Sequence, residues 1–218
     1  MSRTIAQPRP PLNLPLDQVQ HVVLEGISWG SYEKLLKEIG DRPLRVTFDE
    51  GSLEIMSPLP EHEHPKRFIG RLIEMLAFTL DRPVTCLGST TFRRRDKQKG
   101  LEPDECYFFE NEAKVRGLKR WNPRKDPPPD LVVEVDIFSR SIDREPIYAA
   151  LGVPELWRYD GQRLQCLQLS GDHYTVRRHS RVFPFLEVAQ LQQFLAQLPD
   201  KDENSILREF IAWVKKST

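Results

Sequence analysis

Two acidic residues interrupt the most apolar segment of the chain. Glu134 and Asp136 lie two positions apart within Leu131–Ile137, and the remaining five residues of this segment are leucine, valine or isoleucine. Residues two apart in a strand point to the same face of a sheet, so both carboxylates are expected on one side. A buried carboxylate is costly unless it is paired, hydrogen-bonded or bound to a metal. This pattern favours a functional site, with pairing to a nearby arginine as the structural alternative.

Asp104 is the second candidate acid. It follows Pro103 and precedes Glu134 by 30 positions, which leaves room for a loop and a return to an adjacent strand. Two converging carboxylates suit a hard cation, because Mg²⁺ binds a few carboxylates plus water and leaves positions for phosphate oxygens. Mn²⁺ is the alternative cation. Such a metal activates water and stabilises charge on a phosphodiester.

A basic segment surrounds these acids. Residues 93–125 contain eleven lysines and arginines and six acidic residues, a net charge of +5. A solvated loop is the ordinary explanation for a run of charges. A basic rim beside a metal site is also what binding to a phosphate backbone requires. Within the segment, Arg93, Arg94 and Arg95 are the candidate substrate-binding residues.

The elements expected to position these residues follow from hydrophobic periodicity. The order predicts a mixed α/β fold around one sheet, with Leu131–Ile137 as a central strand covered on both faces. Ser31 is the expected cap of the first helix and Gly40 its end, and Asp160-Gly161 is the expected hairpin turn. Predicted helices are Ser31–Ile39, Glu63–Leu80, Ile142–Leu151, Val188–Leu198 and Asn204–Lys216. Further predicted strands are Leu44–Phe48, Leu53–Ile55, Val84–Leu87, Thr90–Arg95, Asp104–Phe109, Leu156–Tyr159, Arg163–Leu169 and His173–His179, with a loop over Lys114–Pro129.

Composition restricts the class of protein. The 218 residues carry 32 basic and 32 acidic side chains, so the formal net charge is zero and the highly basic DNA-coating class is excluded. No apolar run reaches the length of about 20 residues that spans a bilayer, and the N-terminus lacks a signal-peptide core. Cys86, Cys106 and Cys166 fit neither a disulfide framework nor a zinc site and are expected to be small buried side chains. A reducing cytoplasm is the expected compartment.

Four segments together resemble a known family. They are Leu53–Pro58, Pro103-Asp104, Pro129–Asp136 and Tyr148–Trp157, the last of which contains Gly-Val-Pro-Glu. With these segments the chain is similar to the Uma-type family of putative restriction endonucleases, within the PD-(D/E)XK nuclease superfamily, over roughly residues 28 to 196. The resemblance implies an α/β (α+β) fold with a mixed central sheet flanked by helices, a divalent metal and cleavage of DNA.

The resemblance also implies roles for individual residues. Asp104 and Glu134 match the two metal-binding acids. The superfamily's lysine would fall at position 136, where this chain has Asp136, and the lysine of Uma-type relatives four residues before the tyrosine corresponds to Arg144. Arginine supplies fixed charge to a phosphate but does not act readily as a base, so Arg144 is either catalytic or a surface ion-pair residue. Asp136 either adds metal affinity or turns to solvent.

Two further residues are candidates for the rim of the site. His62 matches a histidine that is frequent in the family, at the start of the long helix, and either His62 or Glu54 would orient water at the metal rim. The alternative for the acidic start of this helix is simple capping, because acids are favoured there by the helix dipole.

Three functions are compatible with these residues. The leading hypothesis is a Mg²⁺-dependent endonuclease acting on DNA; the others are a nuclease-fold protein that binds nucleic acid or a partner without cutting, and a metal phosphodiesterase for a small substrate. A homodimer is expected, because cutting two strands conveniently uses two active sites, and no membrane contact is expected. Residues 1–16 are expected to be an extended proline-rich arm, residues 17–200 the nuclease-like domain, and residues 201–218 a helix packing on the domain or a partner.

Overall fold

A computed structural model describes residues 21–40, 42–57, 60–118, 121–137 and 141–218. The arm expected over residues 1–16 lies outside these ranges. Within them, no helix is long and apolar enough to cross a membrane.

Eleven strands occur in the described ranges. They are β1 (His21–Leu24), β2 (Arg45–Asp49), β3 (Ser52–Met56), β4 (Thr85–Cys86), β5 (Phe92–Arg94), β6 (Lys99–Leu101), β7 (Glu105–Phe108), β8 (Leu131–Val135), β9 (Glu155–Tyr159), β10 (Leu164–Ser170) and β11 (His173–Arg177). The α-helices are α1 (Trp29–Ile39), α2 (Pro60–Thr79), α3 (Glu112–Val115), α4 (Glu145–Leu151), α5 (Gln192–Leu195) and α6 (Glu203–Ser217), and 3₁₀ turns span Arg95–Lys97 and Val188–Leu191.

The strands form two sheets. The smaller has the order β1-β3-β2-β6-β5 and the larger the order β11-β10-β9-β8-β7-β4. All pairs are antiparallel except β8 and β9, which run parallel and are joined through α4. The mixed α+β class expected from the sequence is therefore confirmed, although the strands form two sheets where one was expected.

The strand β8 is central, as predicted, and all five of its residues are buried. Its two faces contribute to different hydrophobic clusters: Val133 belongs to the cluster that includes Phe68 of α2, whereas Val132 belongs to the cluster that includes Tyr148 of α4. The helix α6 joins the first cluster through residues such as Phe210 and lies against α2. This two-sided burial explains why β8 reads as a continuous apolar run.

Local details differ from the sequence-based expectations. The cap of α1 is Ser28, whose hydroxyl accepts from the Ser31 backbone N–H at 3.2 Å, and Gly40 ends the helix at φ 55°. The helix expected over 188–198 is a 3₁₀ turn followed by the short α5. The strands β1 and β6 were not predicted, and α3 lies across the start of the expected loop.

Gly100 explains why β6 is hard to recognise in the sequence. A side chain at this position would overlap the hydroxyl of Tyr32 in α1 and approach Cβ of Arg93 to 3.0 Å. The close approach of α1 to the small sheet therefore requires glycine, although glycine weakens the strand pattern.

Candidate active site

The two candidate acids lie side by side at the end of the larger sheet. Glu105 of β7 pairs with Val133 of β8, and continuing that antiparallel register by one residue brings Asp104 opposite Glu134. Residues directly opposite each other share a face, with Cβ atoms about 5 Å apart. Both are almost fully buried, with 1% and 2% of their surface exposed. The fold thus brings together two carboxylates that are 30 positions apart in the sequence.

Asp104 is held by the backbone of β8 and by the helix α2. Its Oδ2 accepts from the Val135 backbone N–H at 2.8 Å and lies 3.1 Å from His62 Nε2. The same ring nitrogen is 2.7 Å from the Val135 carbonyl oxygen. Because a carbonyl can only accept, Nε2 is the protonated nitrogen of this ring. His62 therefore holds Asp104 and the end of β8 in position relative to each other. Capping of α2 alone would not require these contacts with β8.

Glu134 is held by two side chains from the start of α4. Arg144 Nη1 lies 3.2 Å and 3.0 Å from the two carboxylate oxygens, and the Tyr148 hydroxyl donates to Oε1. Arg144 is itself buried, with 6% of its surface exposed, so it is not a surface ion-pair residue. Burial and then the Glu134 charge hold the pKa of Tyr148 well above its usual range, so the phenol remains a donor.

Tyr148 is the functional neighbour that sequence reasoning passed over. In the sequence it is one of the apolar residues on the inner face of a short helix, which is the ordinary pattern of a core aromatic residue. The available signal was its spacing of four from Arg144, since residues four apart share one side of a helix. That spacing directs both side chains to the same carboxylate.

A cavity of about 300 Å³ opens beside these residues. Its lining includes Glu134, Asp136, Ser141, Asp143, Arg144 and Arg158. The backbone N–H of Asp136 donates to the Tyr159 carbonyl at 2.6 Å, which anchors the residue at the end of β8. Asp136, the residue at the lysine position, thus lines the cavity that Glu134 and Arg144 also reach.

Glu54 approaches the same region from the small sheet. Its Oε1 accepts from the Ser141 backbone N–H at 3.1 Å, and Ser141 lines the cavity. Its Oε2 is buried and has no hydrogen-bond partner among the described residues. A buried carboxylate oxygen without a donor is costly, so a cation or water at this oxygen would stabilise it.

The three arginines of the basic segment lie apart from the cavity. Arg93 and Arg94 belong to β5 at the edge of the small sheet, and Arg95 begins the 3₁₀ turn that follows. Arg93 lies 4.0 Å from Glu33, and Arg94 lies 2.5 Å from Asp96. None of the three lines the cavity, although β5 contacts α4. They form a basic edge next to the helix that holds Glu134.

The donor set determines which metal these residues fit. The described residues contain no group of three or more His, Cys, Asp or Glu side chains arranged around a metal position. A closed zinc site needs three or four such ligands, and this arrangement does not supply them. Two adjacent carboxylates, with Glu54 nearby, fit Mg²⁺, which keeps several waters and uses one or two carboxylates.

Comparison with known proteins identifies a family. The family model Uma2, described as "Putative restriction endonuclease", matches residues 29–199, which is more than half of the chain. The crystal structure of a putative nuclease belonging to DUF820 from Anabaena variabilis ATCC 29413 aligns with a TM-score of 0.49 and 12% identity, covering 84% of this chain and 97% of the other. No curated protein matches the chain.

Proposed function

Since the chain belongs to the Uma2 family of putative restriction endonucleases, we propose that it is a Mg²⁺-dependent endonuclease that hydrolyses DNA phosphodiester bonds. The proposal is carried by one observation: the buried acids Asp104 and Glu134 lie opposite each other on neighbouring strands, beside the buried Arg144 and a cavity. Carboxylates in this position are costly for the fold. This cost is explained if the two carboxylates bind a cation that in turn binds a phosphate of the substrate.

Each side chain of the site has a role in this proposal. Asp104 and Glu134 would hold the cation, for which Mn²⁺ is the alternative to Mg²⁺. When bound, the cation supplies Lewis-acid stabilisation of the charge that develops on the phosphodiester. Arg144 neutralises phosphate charge, which its fixed guanidinium does without proton transfer. Asp136, which lines the cavity, would add metal affinity through its negative charge.

The residues around the two acids hold them in place, orient water or bind the substrate. His62 holds Asp104 through Nε2, and Tyr148 holds Glu134 through its hydroxyl. Glu54, with one carboxylate oxygen buried and lacking a donor in the described ranges, orients water at the rim. Arg93, Arg94 and Arg95 bind backbone phosphates along the edge strand β5, where binding depends on salt.

The proposal extends to assembly and compartment. A homodimer would offer one active site to each strand of a duplex, and two-fold symmetry is the commonest arrangement of oligomers. We propose a cytoplasmic location, because all three cysteines are free thiols and proteins in a reducing cytoplasm usually keep their cysteines reduced.

A plasmid cleavage assay tests the function. Supercoiled DNA is incubated with Mg²⁺ or Mn²⁺ and the wild-type chain, Asp104→Asn or Glu134→Gln, with Asp172→Asn and Glu110→Gln as controls on exposed acids. We expect nicking by the wild type and both controls, and at least a hundredfold loss in the two site variants. Circular dichroism shows whether each variant is folded. Absence of cleavage by the folded wild type with either cation would overturn the proposal.

A second function is favoured by one observation. Arg144 contacts both oxygens of Glu134, and the lysine position holds Asp136, so a protein that binds nucleic acid without cutting is the alternative. Salt-dependent binding of DNA by a wild-type protein that cuts with no divalent cation would support this alternative.

A further inference from the structure

Arg158 is the second arginine at the cavity beside Glu134. It belongs to β9, and its Cα is in register with that of Glu134 on the parallel strand β8. Register partners on neighbouring strands share a face of the sheet, and both residues line the same cavity. Because Asp104 lies opposite Glu134 on the other side, the two candidate cation ligands and Arg158 form one row across three neighbouring strands.

Arg158 is more accessible to a ligand than Arg144. The Arg144 side chain is 5% exposed, and its Nη1 lies 3.0 Å from a carboxylate oxygen of Glu134. The Arg158 side chain is 35% exposed. Of the two arginines that line the cavity, Arg158 therefore offers the larger surface to an entering substrate.

Two neighbours hold the guanidinium of Arg158. Its Nη1 donates to Glu145 Oε1 at 2.6 Å, and its Nη2 donates to Gln165 Oε1 at 3.1 Å. A guanidinium has five N–H donors, and within the described ranges no other residue accepts from this one. Donors in the plane that Glu145 and Gln165 fix therefore remain for a ligand. Phosphate oxygens are bound well by such planar donor groups.

The charge of the cavity makes Arg158 necessary for an anionic ligand. Four acids against two arginines give its lining a formal charge of −2, which repels phosphate. One divalent cation would balance this charge, and without Arg158 the balance would return to −1. The charged lining residues are Glu134, Asp136, Asp143, Glu145, Arg144 and Arg158.

The position of Arg158 indicates which phosphate it contacts. A cation held by Asp104 and Glu134 would lie between β7 and β8, and β9 is about one and a half strand spacings from that point, hence about 7 Å. The contact with Gln165 of β10 directs the guanidinium further away. One strand of DNA carries a phosphate for about every 3.4 Å of helix axis. This spacing favours contact with a neighbouring phosphate over the one that is cut.

We propose that Arg158 binds a backbone phosphate of the DNA strand in the candidate active site, one or two nucleotides from the bond that is cut. This inference rests on the proposed function and deepens it, because it adds a substrate-binding residue to the cavity. An ester with a single phosphate occupies the cation position without contacting Arg158. The residue is therefore a determinant of specificity for a polymeric nucleic acid.

The test compares the wild-type chain with Arg158→Gln and Arg158→Lys. Arg208→Gln is the matched control, because it removes one exposed positive charge from α6, which packs on the opposite face of the larger sheet. Binding of a DNA duplex is measured by fluorescence anisotropy over a series of KCl concentrations at constant Ca²⁺, a cation that also binds carboxylate oxygens.

The two Arg158 variants have different expected results. Arg158→Gln should bind about fivefold more weakly, with a slope of log affinity against log salt that falls by about 0.9 for one lost phosphate contact. Arg158→Lys should keep the slope, because an ammonium still contacts the phosphate as a point charge, but bind about threefold more weakly without the planar fork. Arg208→Gln should retain the wild-type slope. Circular dichroism monitors folding, and if Arg158→Gln is unfolded, the affinity of Arg158→Lys decides.

A kinetic arm separates this inference from the proposed function. With Mn²⁺, Arg158→Gln should hydrolyse bis(4-nitrophenyl) phosphate with wild-type kcat and KM but cut DNA with a raised KM, a difference that a merely structural role would not produce. A raised KM for both substrates, or wild-type DNA affinity and salt slope in both Arg158 variants, would overturn the inference and leave the nuclease proposal intact. Absence of cleavage by the wild type would overturn the nuclease proposal, while the salt slopes still decide on the phosphate contact.

Discussion

The buried carboxylate of Glu134 accepts hydrogen bonds from two buried side chains. Arg144 and Tyr148 reach it from one turn of α4, and the strand that carries it is buried on both faces. Removing one partner of a buried charged group leaves an uncompensated desolvation cost of several kcal/mol, about 3–5. At the residue scale, the site is therefore a set of coupled groups in which each side chain keeps another in position.

Tyr148→Phe isolates one of these couplings, because the ring remains and only the hydroxyl donor is removed. A hydrogen bond to a charged group contributes about 1.5–3 kcal/mol, so we expect the free energy of unfolding in urea to fall by this amount. DNA cleavage should slow by about tenfold or more, since Glu134 then loses the donor that fixes its Oε1.

Tyr174→Phe is the control for this substitution. Its hydroxyl donates to the Val153 carbonyl at 2.6 Å, away from the acids, so stability should fall by about 1 kcal/mol with unchanged cleavage. Wild-type cleavage by Tyr148→Phe would contradict the positioning role.

The three cysteines give a prediction about thiol reactivity. Cys106 and Cys166 are buried as expected, whereas Cys86 reaches the surface, contrary to the expectation. Partial desolvation of its thiol raises the pKa of Cys86 to about 11, and burial raises that of Cys166 to about 12. The thiolate is the reactive form, so labelling must accelerate as pH rises. We expect iodoacetamide to modify Cys86 alone in the native protein, about a hundredfold faster at pH 10 than at pH 8. Modification of Cys106 or Cys166 before unfolding, detected by peptide mass spectrometry, would contradict the packing.

At the scale of elements, Glu155 joins the strand β9 to the segment after β11. Its buried carboxylate accepts from Trp157 Nε1 and Ser180 Oγ, both at 2.6 Å, and from the backbone N–H groups of Arg181 and Val182. These donors satisfy the charge within the fold. The acid of the Gly-Val-Pro-Glu motif is therefore structural, although its sequence is the most specific mark of the family resemblance.

Glu155→Gln tests this connection between elements. In the glutamine variant, an NH₂ group replaces one carboxylate oxygen and points at groups that are themselves donors, so at least one hydrogen bond is lost. We therefore expect the free energy of unfolding to fall by about 3 kcal/mol. Glu209→Gln, which removes an exposed ion pair with Lys201, should cost less than about 1 kcal/mol. Equal midpoints of urea denaturation for the two variants would contradict the structural role of Glu155.

Gly100→Ala tests the contact between α1 and the small sheet. The added methyl group would overlap the Tyr32 hydroxyl, and overpacking of this kind costs about 1–3 kcal/mol. Gly30→Ala on the exposed start of α1 meets only Ser28 Oγ at 3.9 Å and should change stability by less than about 0.5 kcal/mol. A thermal midpoint for Gly100→Ala at or above that of the wild type would contradict the contact.

Sequence patterns predicted the elements that carry strong periodicity. The helix α2 follows from helical spacing, the hairpin of β2 and β3 from alternation, and the strand β8 from its run of β-branched residues. The strands β1 and β6 do not, because four exposed residues and a three-residue strand around Gly100 leave no alternation to read. The division into two sheets depends on which strands pair, which is a tertiary property that local patterns do not contain.

For the whole molecule, the zero net charge conceals an ordered distribution. Four acids and two arginines line the cavity of Glu134 and Asp136, whereas three arginines and one glutamate line a second cavity beside the hairpin of β10 and β11. The sequence predicted the acids because carboxylates in an apolar strand are anomalous. It could not predict the second cavity, because arginines in a hairpin are ordinary and only the tertiary structure brings them together.

The central claim is that Asp104 and Glu134 form one cation site for the cleavage of DNA. The most direct measurement is anomalous diffraction from crystals of the protein soaked in Mn²⁺. We predict a peak within about 2.5 Å of a carboxylate oxygen of each acid, and its loss in Glu134→Gln crystals soaked in the same way. A peak at other residues, or no peak beside these two carboxylates at saturating Mn²⁺, would contradict the account.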